Sequence, residues 1–222
     1  MPGGGRPKRG APRSDGANSR HDQCVGGLQN NDLEQFLRER LASAHAALEN
    51  IDEARFMADP TAAIDHVCAE FALEPLGVPR RGELSESRPG DALVQTADGE
   101  SHHRPRVVVD IAVTGPHFLW NYRPADSPPF HASVHGVISH HLFRAGPLFV
   151  LTISGDRLRG DDVDAAITAT LTQLTTVADR INTATRRWHI ELRANLDASA
   201  RQRQAGRDSR QEFLEHLRSQ HL

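Results

Sequence analysis

Four histidines in the middle of the chain come nearest, by residue type and spacing, to a metal site. His131, His135, His140 and His141 fall in two adjacent predicted strands. At a rise of about 3.3 Å per residue, His131 and His135 lie about 13 Å apart on one strand face, too far to hold one ion. A shared site requires His135 to meet His140 or His141 across a hairpin, with an acidic ligand from elsewhere. The pattern leaves open a metal-dependent hydrolase and solvent-facing strand histidines, and it favours the second.

The two cysteines do not form a thiolate metal site or a disulfide framework. Cys24 and Cys68 are far apart in the sequence, and neither has the nearby second cysteine that a zinc or redox motif requires. So little cysteine fits a reducing compartment, and we expect a cytoplasmic protein. The longest apolar runs, 107–113 and 148–153, are far shorter than the ~20 residues that span a bilayer. We therefore expect no membrane partner, and no motif predicts a cofactor or a catalytic residue.

An aromatic segment around Trp120 offers a second kind of chemistry. Trp120, Tyr122, Arg123 and Pro124 lie close together in the sequence, and further prolines follow. Aromatic rings beside an arginine can form a platform on which nucleic-acid bases stack. The same residues can form a structural corner, in which the rings are buried and the Arg123 guanidinium anchors the turn. The prolines fix a shape and few other large side chains are available, so the pattern favours the corner.

The longest element that the sequence predicts is a helix from 161 to about 205. Its inward positions alternate by four and three residues, which keeps one seam against a partner surface and predicts a coiled coil. The positions of this seam are Ile167, Leu171, Leu174, Ala178, Ile181, Thr185, Trp188 and Leu192. The predicted strands just before the helix are the best candidate to cover the seam.

The remaining pattern predicts an α+β protein. The strand-like segments 106–114, 130–137, 138–144 and 148–154 are joined by short connections, which favours antiparallel neighbours. Two helices precede them, one from Asn31 or Asp32 to about Ala58 and one restarting at Pro60. The predicted fold is a small antiparallel sheet packed against a long C-terminal helix, with two N-terminal helices.

Composition divides the chain into five predicted regions. They are a disordered basic tail (1–29), an N-terminal helical pair (30–76), a flexible connector (77–104), the sheet with the long helix (105–205), and a C-terminal helical extension (206–222). The connector is polar apart from 92–94, where a weak edge strand is one reading. Gly206 is predicted to end or kink the long helix. A small apolar face on the extension is formed by Phe213, Leu214 and Leu217.

Short motifs in a fixed order give residues 32–222 a resemblance to a widespread bacterial family without an established activity. The shared order is an amphipathic helix, a helix break, a short helix with its exit, a strand end, a Tyr-Arg-Pro motif and a tryptophan on a long helix. In this chain the motifs are Phe56-Met57-Ala58-Asp59-Pro60, Leu73-Glu74-Pro75-Leu76, Thr114-Gly115, Tyr122-Arg123-Pro124, Trp188 and Asn195-Leu196. The chain departs from the family pattern at three places: His117 and Phe118 replace the acidic part, Ala125 replaces the Ser, and Ala194 replaces the Phe. Similar regions lie beside or are fused to effector domains, so the resemblance implies an accessory or sensing role and no catalytic residue.

Together these observations predict a non-catalytic interaction or accessory module that binds a protein partner, or a second copy of itself, through its helices. The hydrolase with strand histidines stays open as the alternative. Weak nucleic-acid binding through the arginine-rich ends also stays open, although the net charge of -3 does not favour it.

Overall fold

The computed structural model describes residues 31–95, 100–125, 136–143 and 146–220, and it confirms the α+β fold. The helices are α1 (Leu33–Glu49), α2 (Glu53–Ala58), α3 (Pro60–Phe71) and α4 (Gly160–Gln220), with two 3-10 turns at Arg81–Glu83 and His117–Asn121. The strands are β1 (Asn31–Asp32), β2 (Arg88–Gln95), β3 (Ser101–Ala112), β4 (Tyr122–Arg123), β5 (Gly136–Phe143) and β6 (Gly146–Ser154). A four-stranded antiparallel sheet has the order β2-β3-β6-β5, and β1 pairs with β4 in parallel.

The N-terminal helices begin at aspartate caps. The Asp32 carboxylate accepts hydrogen bonds from the backbone N–H groups of Glu34 and Gln35, which starts α1. The prediction that this helix runs on to Ala58 was wrong. It ends at Glu49, and the Asp52 carboxylate accepts from the N–H of Arg55 to start α2 as a separate helix. The predicted pair of helices is therefore a set of three.

The range predicted as a connector contains regular structure. It holds the turn Arg81–Glu83, all of β2 and the start of β3. Strand β2 pairs antiparallel with β3 over its whole length, from Arg88 opposite Val108 to Gln95 opposite Ser101. Backbone pairing at a sheet edge requires no apolar side chains, which is why the polar composition of this segment indicated no more than the weak edge strand at 92–94.

The sheet buries one face. Alternate residues of its two central strands point inward and are almost fully buried: Val109 and Ile111 from β3, and Phe149, Leu151 and Ile153 from β6. The prediction of separate strands at 130–137 and 138–144 was wrong over the described residues 136–143. Strand β5 runs unbroken from Gly136 to Phe143, so no turn lies between 136 and 138. Residues 130–135 are outside the described ranges.

Helix α4 covers the core and continues beyond it. Its buried residues include seven of the eight predicted seam positions, with Leu171 half-buried, and the helix packs on α1, α3 and β6. The buried line then continues through Leu196 and Ala200 at spacings of four, so it follows the 3.6-residue period of a straight helix. The prediction that Gly206 ends or kinks α4 was wrong as to the end, because the helix continues past it to Gln220. A single helical glycine costs only about 1 kcal/mol, which its helix-forming neighbours outweigh.

Candidate functional site

The predicted aromatic segment forms part of the core. The Trp120 side chain is 2% exposed and its ring meets Phe149 edge to face, with centroids 5.0 Å apart. Tyr122 is half-buried, with its ring centroid 4.5 Å from that of Phe36. Pro124 is buried, whereas Arg123 is exposed and makes no ion pair with any described residue. With Trp120 inside the core, these residues do not present a set of rings on which bases could stack.

Trp188 joins the long helix to α1. Its side chain is 4% exposed, and the indole Nε1 donates a hydrogen bond of 2.9 Å to the backbone oxygen of Leu37. Buried tryptophan N–H groups in proteins usually have such an acceptor. The residue therefore has a structural contact on both its apolar ring and its polar edge.

Polar side chains of α4 hold the segment that leaves α3. The Asn182 side chain accepts from the N–H of Leu76 and donates to the oxygen of the same residue, both at 2.8 Å. About two turns further on, His189 Nε2 accepts from the N–H of Leu73 at 3.0 Å. Two side chains distant in sequence thus satisfy the N–H of Leu73 and both backbone groups of Leu76. Sequence reasoning missed both pairings.

A glycine allows the end of β3 to approach this segment. Gly77 and Thr114 exchange two backbone hydrogen bonds, of 3.1 and 2.9 Å. Gly115 follows with φ of +90°, and a Cβ at this position would lie 2.5 Å from the carbonyl oxygen of Pro75. Only glycine combines that backbone conformation with so close an approach. Motifs on which the family resemblance rests, at 73–76 and 114–115, therefore meet in one joint with α4.

The predicted histidine site is placed only in part. His131 and His135 lie outside the described ranges, and His140 and His141 occupy consecutive positions of β5, opposite Phe149 and Leu148. The hairpin that would have brought His135 to His140 or His141 is missing, because β5 is continuous. No group of three or more potential ligands from His, Cys, Asp and Glu occurs in the part of the chain that the structure describes.

Cys68 and Ser199 carry side chains that can act as nucleophiles in other proteins, and both are half-buried here. Burial raises the pKa of the half-buried Cys68 thiol, although the neighbouring guanidinium of Arg193 opposes the shift. The thiol is therefore protonated at neutral pH, the form that is a poor nucleophile. Ser199 Oγ lies 3.0 Å from His45 Nδ1 between α4 and α1. This hydrogen bond, which the sequence did not indicate, links two helices at their half-buried edges.

The most distinctive surface is the last part of α4, residues 205–220, which we call the overhang. Every residue in it is exposed, and at 1.5 Å per residue it extends about 24 Å. Large apolar side chains lie on it in one group: Phe213 is 60% exposed, Leu214 44% and Leu217 37%. We call these three residues the apolar ridge, which corresponds to the apolar face predicted for the extension.

Arginines occupy the overhang on the face that is buried in the body of the protein. At about 100° per residue, they fall on the same arc of the helix as the core residues Leu192, Leu196 and Ala200. These arginines, the arginine stripe, are Arg203, Arg207, Arg210 and Arg218. The stripe and Leu214 line an open groove of about 740 Å³ that begins at Glu53 of α2.

Only the first arginine of the stripe is tied to the body. Arg203 donates to Glu53 at 2.7 Å and to the backbone oxygens of Leu48 and Ile51, and its guanidinium lies over the Phe56 ring. Within the described ranges the other three have no ion pair. The groove therefore presents three solvated guanidinium groups beside the apolar ridge.

The class that fold and surface define is an α+β protein with a long helix projecting from its core. No protein-family model, curated protein or solved structure matches this chain. In the described part of the chain, no helix is both long enough and apolar enough to cross a membrane.

Proposed function

We propose that the chain is a non-catalytic interaction module that docks another protein on the overhang of α4. The observation that carries the proposal is the apolar ridge, three large exposed side chains on a stretch of helix in which every residue is exposed. Single exposed apolar residues are ordinary on protein surfaces, but a group of them beside a groove is typical of an interaction site.

The cost of leaving the overhang unpartnered supports the proposal. Most helical stability in proteins comes from tertiary packing of one face, and a segment of this length alone is marginally helical in water. The overhang has few side-chain bonds of its own, among them Gln211 to Glu215 at 3.1 Å and Gln220 to His216 at 2.9 Å. A partner helix laid along it would supply the missing packing, which is the arrangement of helix-in-groove recognition.

The family resemblance favours the same class of function. Similar regions occur beside effector domains, which implies an accessory role, and an accessory module needs a surface for the protein it assists. The joint formed by α4, the segment 73–76 and the end of β3 would give that surface a rigid base.

Native co-purification tests the proposal. The tagged full chain is isolated from cells of its source organism, with nuclease treatment, alongside a Phe213→Ser/Leu217→Ser variant. The matched control is Ile190→Ser, which removes a side chain 73% exposed on the same helix but outside the overhang. We expect a stoichiometric protein partner with the unaltered chain and the control, and its loss from the double variant. A chain that elutes alone, or a partner retained by the double variant, would contradict the proposal.

A further inference from the structure

We propose that the partner docked on the overhang presents an acidic amphipathic helix, with carboxylates for the arginine stripe and apolar side chains for the apolar ridge. This inference rests on the proposed function and specifies the chemistry of the docked segment. The juxtaposition that carries it is one groove lined by Leu214 and by three arginines that have no ion pair with a described residue, with the exposed Phe213 and Leu217 beside it.

The spacing of the stripe matches a helical partner. Arg203, Arg207 and Arg210 follow each other at four and three residues, Leu214 continues the series, and Arg218 lies four residues further. Side chains at these intervals line one face of the helix, which is the pattern that a second helix reads along a groove. Each guanidinium offers a planar fork of donors that suits the two oxygens of a carboxylate.

Charge is distributed around the overhang in a way that orients such a partner. At about 100° per residue, the carboxylates of Asp208, Glu212 and Glu215 lie on one flank of the stripe, and Phe213 with Leu217 lies on the other. An acidic helix is therefore repelled on one side and gains apolar contact on the other. Complementary and opposing charges of this kind set which partner binds and how it lies.

A second copy of the chain fits this surface less well. A two-fold dimer is isologous, so the same patch of both subunits meets at its centre. The arginine stripe of one copy would then face the arginine stripe of the other, and like charges in contact are unfavourable. Nucleic acid would satisfy the guanidinium groups, but its phosphates would meet the acidic flank and leave the apolar ridge uncovered.

Site-specific photo-crosslinking in cells of the source organism tests the inference. A photoreactive amino acid replaces Gln211, which lines the groove, or Glu212, which lies on the face of the helix opposite the stripe and the ridge. Both positions are exposed, so the full chain keeps its core, and unchanged circular dichroism and thermal midpoint verify this. Mass spectrometry identifies the crosslinked segment.

The inference predicts a crosslink from position 211, and not from 212, to an acidic amphipathic segment of another protein. The variant Arg207→Glu/Arg210→Glu should lower the crosslink yield at least about tenfold, because two attractive contacts become repulsive. Arg201→Glu, a control that makes one such charge reversal on the other side of the helix, should leave the yield unchanged.

The contrary outcomes separate this inference from the function on which it rests. A crosslinked protein segment that is basic or uncharged, or a second copy of the chain, overturns the inference and leaves a protein-docking module. A crosslink yield that Arg207→Glu/Arg210→Glu leaves unchanged also overturns the inference, and it leaves the proposed function standing. Crosslinking to nucleic acid, or to nothing, overturns both.

Discussion

The side chain of Asn182 should carry a large share of the attachment between α4 and the segment 73–76, and its replacement by alanine measures that share. The substitution removes both hydrogen bonds to Leu76, each 2.8 Å long. Leu76 is 4% exposed, so its N–H and carbonyl groups would have no ready access to water. An unsatisfied buried backbone group costs about 1–3 kcal/mol. Two such groups cost about 2–6 kcal/mol, and alanine returns about 0.5 kcal/mol as a better helix former, so we expect a net loss of about 1.5–5.5 kcal/mol.

Urea unfolding followed by tryptophan fluorescence is the assay, since Trp120 and Trp188 are both buried. The matched control is Asn195→Ala, whose amide donates at 2.7 Å to the Glu191 oxygen within the same helix and is exposed. Its free energy of unfolding should change by no more than about 0.5 kcal/mol. If Asn182→Ala and the control lose the same amount, the two hydrogen bonds to Leu76 do not secure the joint.

Four further substitutions test the joint and the overhang through the free energy of unfolding. Gly115→Ala should lower the free energy of unfolding by at least about 2 kcal/mol, because of the positive φ and the crowded Cβ position. Gly206→Ala, with open space around it, should raise the free energy of unfolding by about 0.5–1 kcal/mol. A similar change in both variants would refute the claim that the backbone at position 115 requires glycine. Burial, and next the charge of Arg40, lower the pKa of His189, so the folded state binds fewer protons than the unfolded state below the ordinary pKa of about 6.5. Stability should therefore fall as the pH drops from about 6.5 toward the folded pKa, more steeply than in His189→Gln, and parallel pH profiles would contradict this. Phe213→Ser should change stability by no more than about 0.5 kcal/mol, because its side chain is exposed; a larger loss would mean that the ridge packs on the body.

Local signals in the sequence were sufficient for several elements. The aspartate and proline at 59–60 marked the start of α3, the β-branched run at 106–114 marked the central strand β3, and the apolar spacing of α4 identified its buried face. Each of these signals is contained within one element. A helix cap or an apolar period acts on neighbouring residues, so it can be read without knowing the fold.

Features that depend on distant parts of the chain could not be read in this way. Strand β2 exists because β3 offers it a row of backbone partners, and Asn182 carries no mark of its bonds to Leu76. The break between α1 and α2 did have a signal, since Asp52 precedes Arg55 at cap spacing, but the continuous apolar pattern around it favoured one helix.

The sequence indicated the residues of the candidate site, but it did not indicate where they lie relative to the body of the protein. The apolar face at 213–217 and the arginine-rich end were both visible in the sequence. Their meaning depends on where the body of the protein ends relative to α4. Because α1 and α2 stop near Arg203, the helix face that is apolar at Leu196 and Ala200 becomes a line of solvated arginines beyond that point. That change of surroundings is a property of the tertiary structure.

Hydrogen exchange measured by mass spectrometry, on the chain alone and in complex with its co-purified partner, tests the central claim most directly. In the free chain, amides in the overhang should exchange faster than the rest of α4, because no packing protects them. In the complex, protection should rise along residues 205–220 and remain unchanged in the sheet. Protection that appears elsewhere while the overhang still exchanges freely would contradict the claim that this helix is the docking surface.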